Sequence, residues 1–305
     1  MDETRYREAE RRLWESVGAT PTEQRVHLKR NDVTVRIQEI GDGPPVLFLH
    51  AAISGGAQWI TLAARLQGFR CMLLDRPGCG LSEALAKVPD LNGLPGFADE
   101  LVVNVLDTLG LQSAHLVSAS FGGYFALRAA SSHPERIDRI VQFGYATGSP
   151  TDQRPAAGRF MSLPGVWRLL RVMMPNERVV REMFRRIGHR ESIRTGRMTQ
   201  EVIDGYVALL RYTDTIRNEM GMGRAFYSVQ GINRLVLHDD LLARITSPFL
   251  YVWGENEPSG GVNTARYLVD RLPNAELEVL PGAGHGSWLD DLDYAAKLTS
   301  GFLGS

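Results

Sequence analysis

Two cysteines are all that the 305 residues carry, and Cys71 and Cys79 are too few for a disulfide framework. Cys71 lies in an apolar strand pattern and reads as a small buried residue, whereas Cys79 sits in a glycine-rich turn. No cluster of Cys, His, Asp or Glu has zinc-ligand spacing, so neither a metal nor another cofactor is expected. Neither sign of charge dominates: the formal net charge is −1, which supplies no pull toward nucleic acid or an anionic membrane. Lysine is scarce as well. Lys29, Lys87 and Lys297 are the three present, which leaves 31 of the 34 basic residues as arginine, and these arginines are expected mostly on solvated helix faces. No uninterrupted apolar run is long enough to cross a bilayer. Residues Met1 to Arg12 are charged rather than apolar, so no signal peptide is expected. The expectation is a soluble cytoplasmic protein without membrane or nucleic-acid partners.

What is present is ordinary globular material, 44% hydrophobic, enough for one large domain carrying an insertion or for two domains. Tyr6, Ala9, Leu13, Trp14 and Val17 recur at helical spacing and predict an amphipathic helix within residues 1–20. Gln24 to Arg30 and Val33 to Ile40 alternate like two strands joined at Asn31-Asp32. Val46 to Leu49, Phe69 to Leu74, Ala114 to Ala119 and Ile137 to Phe143 are continuous apolar runs, as strands buried on both faces require. Helical patterns separate them at Trp59 to Leu66, Phe97 to Leu109 and Phe121 to Ser132. The alternation stops near Thr147 and resumes with Phe249 to Trp253, a helix from Asn263, a strand Glu276 to Leu280 and a helix Leu292 to Phe302. An α/β fold with a mostly parallel central sheet flanked by helices is therefore expected, its core formed by 21–146 and 246–305. The block 147–245 reads as a helical insertion, with helices predicted at Val166 to Met174, Arg178 to Ile187, Gln200 to Asp214 and Arg224 to Gln230. Its methionines, Met183 and Met198 among them, suit either a lid over an apolar pocket or a plain helical core.

The chemistry concentrates at strand ends. Ser120 sits where a strand ends and a helix begins, with Ser118 before it and Gly122 after it. That spacing fits a tight strand-to-helix turn that pushes one side chain out of the sheet top. A serine hydroxyl needs a base, and His285 follows a strand in the Gly-rich stretch Pro281-Gly282-Ala283-Gly284-His285. His50 also stands at a strand end, while His189 and the remaining histidines have plain settings. A carboxylate must orient the base. Glu257 in Gly254-Glu255-Asn256-Glu257-Pro258 is the first choice and Glu255 the second, with Asp290 and Asp291 taken as surface charges. Donors for a tetrahedral oxyanion are expected from the amides of Phe121 and Ala52.

Taken together these segments resemble the α/β-hydrolase superfamily from about Gln24 to Phe302. Leu49-His50-Ala51-Ala52 resembles its His-Gly loop, Asp75 to Ser82 its Asp-x-Pro-Gly-x-Gly-x-Ser turn, and Ser118 to Gly123 its nucleophile elbow. Trp253 to Pro258 and Gly282 to His285 resemble the acid and histidine loops. The resemblance implies Ser120 as nucleophile, His285 as base and Glu257 as acid. It departs from the family at Ala51 and Ser118, where glycine is usual, and at Glu257, where aspartate is usual. It implies hydrolysis of an ester, or a related thioester, amide or lactone, of a small apolar molecule. The same triad also serves carbon–carbon bond hydrolysis, acyl transfer or perhydrolysis. A cofactor-independent lyase and a binding protein with a vestigial triad are the readings outside that class.

Overall fold

The computed structural model describes residues 1–90, 92–149, 175–219, 227–228, 231–232 and 237–305. Its strands are β1 (Thr22–Leu28), β2 (Val33–Ile40), β3 (Pro45–Leu49), β4 (Arg70–Asp75), β5 (Ala114–Ala119), β6 (Ile137–Phe143), β7 (Tyr227–Ser228), β8 (Gly231–Ile232), β9 (Phe249–Gly254) and β10 (Ala275–Leu280). Eight of them form one sheet in the order β1-β2-β4-β3-β5-β6-β9-β10. β1 pairs with β2, and β2 with β4, antiparallel; from β4 onward every pairing is parallel. β5 and β9 are buried at every position, because helices cover both faces, and that is why their sequences are unbroken apolar runs.

One face is covered by α3 (Gly93–Thr108), α4 (Phe121–Ser132), the short α8 (Asp239–Leu242) and α9 (Val262–Val269). The other carries α1 (Glu3–Ser16), α2 (Ile60–Ala63) and α10 (Leu292–Leu303), with α5 (Glu177–Arg186), α6 (Arg190–Thr195) and α7 (Gln200–Tyr212) adding to the second core. The helices α5, α6 and α7 lie between β6 and β9 in the chain, where the sequence predicts an insertion. The helix predicted at Val166 to Met174 falls outside the described residues. The one predicted at Arg224 to Gln230 is not found as such: Tyr227–Ser228 pairs antiparallel with Gly231–Ile232 instead. Two-residue strands leave no apolar periodicity for a sequence reading to detect.

The amphipathic α1 buries a charge along with its apolar stripe. Arg36 on β2 donates to Glu10 of α1 at 2.9 Å, to Glu23 at 2.7 Å and to Asp75 at 3.1 Å. Asp75 in turn accepts from the amides of Gly56 (2.7 Å) and Leu81 (3.0 Å). Arg36 and Arg76 are both 1% exposed, so these two arginines are core ion-pair partners rather than solvated charges. The guanidinium fork suits that use, since it meets carboxylates in paired contacts and keeps its charge when buried.

Candidate active site

β5 ends at Ala119 and α4 begins at Phe121, which leaves Ser120 alone on the turn at φ 50° and ψ −113°. A non-glycine residue pays for such a backbone, and pays at places where its side chain must point somewhere specific. The turn closes because its neighbours are small: a Cβ on Gly122 would lie 2.1 Å from the carbonyl oxygen of Leu49. Ser118 fits where glycine is usual because its hydroxyl donates to Gln142 Oε1 at 2.5 Å. The amide of Gln142 donates onward to the carbonyls of Phe143 and Gly144, so the extra polar atom is satisfied inside the core.

His285 Nδ1 and Glu257 Oε2 are 2.6 Å apart. With Nδ1–H donating to the carboxylate, the lone pair of Nε2 is left for proton transfer. Glu257 stands on the loop after β9 and also accepts from the amides of Ser259 (2.9 Å) and Tyr145 (3.2 Å). Burial pushes its carboxyl up, but attraction to His285 and the hydrogen bonds from His285 and Ser259 outweigh that and bring it down to about 2. The longer glutamate fits because a glycine follows β6: a Cβ on Gly144 would lie 3.0 Å from Glu257 Oε2 and 2.1 Å from His285 O. Glu255 is exposed and accepts from the Gly282 amide at 2.8 Å, so it braces the histidine loop without touching the imidazole.

Ser120, His285 and Ala52 line one cavity of about 390 Å³, walled also by Met183, Phe184, Ile187 and Tyr206 from the chain between β6 and β9. Of the methionines in that stretch, Met183 faces the cavity and Met198 is core, whereas Met161, Met173, Met174, Met220 and Met222 fall outside the described residues. Phe121 opens α4, so its amide lies at the positive end of a helix dipole. Ala52 stands between two engaged amides. Ala51 N–H donates to Gln58 Oε1 at 3.3 Å and Ile53 N–H donates to Glu219 Oε2 at 3.1 Å. His50, at the end of β3, is structural: Nδ1–H donates to Ala51 O (2.8 Å) and Nε2 accepts from the Arg76 amide (3.1 Å). Burial first, and the nearby Arg76 charge second, hold it well below the usual histidine range.

The reading of Asp290 as a surface charge is corrected, and so is the plain setting given to His189. Both side chains are buried, and His189 Nδ1 lies 2.7 Å from Asp290 Oδ2. Asp290 also accepts from the Gly284 amide (2.8 Å) and from Ser192 Oγ, while His189 Nε2 accepts from the Gly286 amide (3.2 Å). His285 N–H donates to Ile187 O at 2.9 Å. Three successive amides of the histidine loop are thus held by, or through, the α5–α6 connection. Asp291 does sit at the surface, where it caps α10.

A family model described as the alpha/beta hydrolase fold matches residues 44–167. The 2-hydroxy-6-oxononadienedioate/2-hydroxy-6-oxononatrienedioate hydrolase of Paraburkholderia phymatum is 26% identical over 280 residues, covering 90% of this chain and 92% of its own. The 2-hydroxy-6-oxo-6-phenylhexa-2,4-dienoate hydrolase of Burkholderia cepacia is 25% identical over 276 residues, covering 88% and 91%. Among solved structures, the 2-hydroxy-6-oxo-6-phenylhexa-2,4-dienoate hydrolase of a Rhodococcus species superposes with a TM-score of 0.77 at 23% identity, covering 94% of this chain and 99% of its own. A carboxylesterase of Bacillus subtilis gives 0.76 at 21% identity, covering 99% and 98%. The family model over residues 44–167 and the eight-stranded, mostly parallel sheet show that the chain has the α/β-hydrolase fold.

Proposed function

We propose that the protein is a serine hydrolase that cleaves a carboxylic ester of a small, largely apolar molecule through Ser120, His285 and Glu257. The observation that carries this reading is the His285–Glu257 pair opening onto the same cavity as a serine held on a strained turn. Ser120 Oγ attacks the carbonyl carbon as His285 Nε2 takes its proton. The amides of Ala52 and Phe121 receive the oxyanion, and His285 returns the proton to the leaving alcohol. Water then enters by the same steps in reverse and frees the acid. Glu257, ionised throughout, fixes the tautomer and carries the imidazolium charge. The apolar walls contributed by Met183, Phe184, Ile187, Trp288 and Leu289 favour an apolar acyl or alcohol group, and 147–245 then acts as a lid over it.

A second reading is favoured by the relatives, several of which are named as hydrolases of 6-oxo dienoates. There the same serine chemistry meets a ketone carbonyl and a carbon–carbon bond breaks in place of an ester bond. A fluorophosphonate probe tests the shared part. One adduct per chain on Ser120, absent in Ser120→Ala, is expected; folded protein that takes up no probe overturns the acyl-enzyme reading. Parallel turnover of p-nitrophenyl esters and of 2-hydroxy-6-oxo-6-phenylhexa-2,4-dienoate separates the two, with the esters expected to be cleaved faster.

A further inference from the structure

Ile53 carries a strain that its sequence does nothing to announce. It is a β-branched residue at φ 53°, one of three non-glycine residues with positive φ among those described, and it follows Ala52 directly. Branching at Cβ makes the left-handed region costly, so something around it must hold the backbone there. The holder is a carboxylate from far along the chain. Glu219 Oε2 accepts from Ile53 N–H at 3.1 Å, and the same carboxylate meets Arg76 at 3.0 and 3.2 Å. Arg76 Nη2 donates in turn to Ala51 O at 3.1 Å. The peptide groups on both sides of Ala52 are therefore gripped by one ion pair whose side chains are 1% and 3% exposed. The Arg76 guanidinium also lies 4.7 Å from the centre of the Phe121 ring.

Glu219 is itself anchored. Asn218 Nδ2 donates to Gly78 O at 2.8 Å, and Thr215 Oγ1 accepts from the Gly80 amide at 2.9 Å, which laces residues 215–219 onto the Asp75 to Ser82 turn. Hydrogen bonds to a charged acceptor in a dry site are short-range and directional. A carboxylate fixed there selects one orientation of the 52–53 peptide, and the Arg76 it holds fixes Ala51 O, hence the 51–52 peptide that carries the Ala52 N–H.

From this arrangement we infer that Glu219 is a positioning residue, which through Ile53 and Arg76 holds the oxyanion loop in its strained, donor-presenting form. The inference rests on Ser120 chemistry as proposed above, and it makes the chain between β6 and β9 part of the catalytic geometry rather than only a wall. A buried ion pair kept solely for packing would affect stability without distinguishing transition state from ground state.

The test reads p-nitrophenyl acetate turnover together with inhibition by a trifluoromethyl ketone, which becomes a tetrahedral adduct on serine. In Glu219→Gln, kcat is expected to fall by about 10- to 100-fold, less than or comparable to the loss of a whole oxyanion donor. KM stays within about threefold, and affinity for the ketone falls in step with kcat. Adding Ile53→Gly should recover most of the loss, because glycine adopts positive φ without strain and no longer needs the carboxylate. If Glu219→Gln does not fold, Glu219→Asp keeps the charge on Arg76 but withdraws the oxygen from Ile53 N–H, and the same pattern is expected. Wild-type kcat in either folded variant, an equal fall in ketone affinity and substrate affinity, or failure of Ile53→Gly to restore turnover overturns the inference. Fluorophosphonate labelling of wild-type Ser120 keeps the two levels apart: wild-type protein that neither labels nor turns over overturns the serine reading, and this inference with it.

Discussion

The cavity has two edges, one at Ala52 and one at His285, and the chain between β6 and β9 fastens each by a different kind of bond. The edge at Ala52, proposed above to receive the oxyanion, is held by two ions. Arg76 and Glu219 are buried together and grip a backbone that is strained at Ile53. The histidine edge is held by a histidine–carboxylate pair, His189 and Asp290, and here the loop amides of Gly284, His285 and Gly286 supply the donors. His189 can serve as a neutral ring, since Nε2 accepts while Nδ1 donates. The difference concerns what happens when one partner is lost. An ion left alone in a dry interior costs far more than a neutral donor left alone.

That difference ranks the expected effects. Arg76→Met strands the Glu219 carboxylate and is expected to cost about 3–5 kcal/mol, read as a lowered urea midpoint at unchanged slope. Asp290→Ala strands the Gly284 amide, the His189 ring N–H and the Ser192 hydroxyl, each of them neutral. Its cost should be smaller, about 1–3 kcal/mol. A larger loss for Asp290→Ala than for Arg76→Met would reverse the comparison and make the histidine edge the better-anchored one.

The sequence carries the candidate site residues better than the contacts that fasten their loops, for physical reasons. Ser120, His285 and Glu257 are each announced locally, by a strand that ends and by glycines that let the chain turn, and the structure brings their loops together at the top of one sheet. The α/β order was legible from apolar runs buried on both faces. The fasteners carry no such local mark. Asp290 meets His189 across 101 positions, and Arg76 meets Glu219 across 143. Nothing near Asp290 distinguishes it from the neighbouring Asp291, which does face solvent. Arginines are expected mostly on solvated faces, yet Arg36 and Arg76 are buried and are defined by carboxylates distant in the sequence. Ile53 looks like any apolar loop residue, because its strain is imposed from outside. The offset of five between His285 and Asp290, in a loop already marked by glycines, is the trace that this pair leaves in the sequence.

Glu257 adds a pH dimension to the site. Its folded carboxyl titrates at about 2, below the ordinary value of 4.5, so its stabilising effect is complete above about pH 4.5 and is lost as the pH falls toward 2. By pH 4 the loss amounts to about 1 kcal/mol. Melting temperatures taken from pH 7 down to pH 4 should therefore fall more in the wild type than in Glu257→Gln, which has no carboxyl to titrate. Parallel curves for the two proteins would detach Glu257 from that acid sensitivity.

The smallest effect expected is the most useful control on the comparison. Arg194 pairs with Glu191 on α6, with side chains 72% and 50% exposed. The ions have the same chemistry as Arg76 and Glu219, the geometry is as close, and the pair belongs to the same stretch of chain that covers the cavity. Water already solvates both groups, so removing one strands nothing. Arg194→Ala should leave the urea midpoint and p-nitrophenyl acetate turnover within experimental error of the wild type. If it destabilises the protein as Arg76→Met does, burial is not what separates the pairs, and the ranking of the two edges by the cost of a stranded ion fails with it.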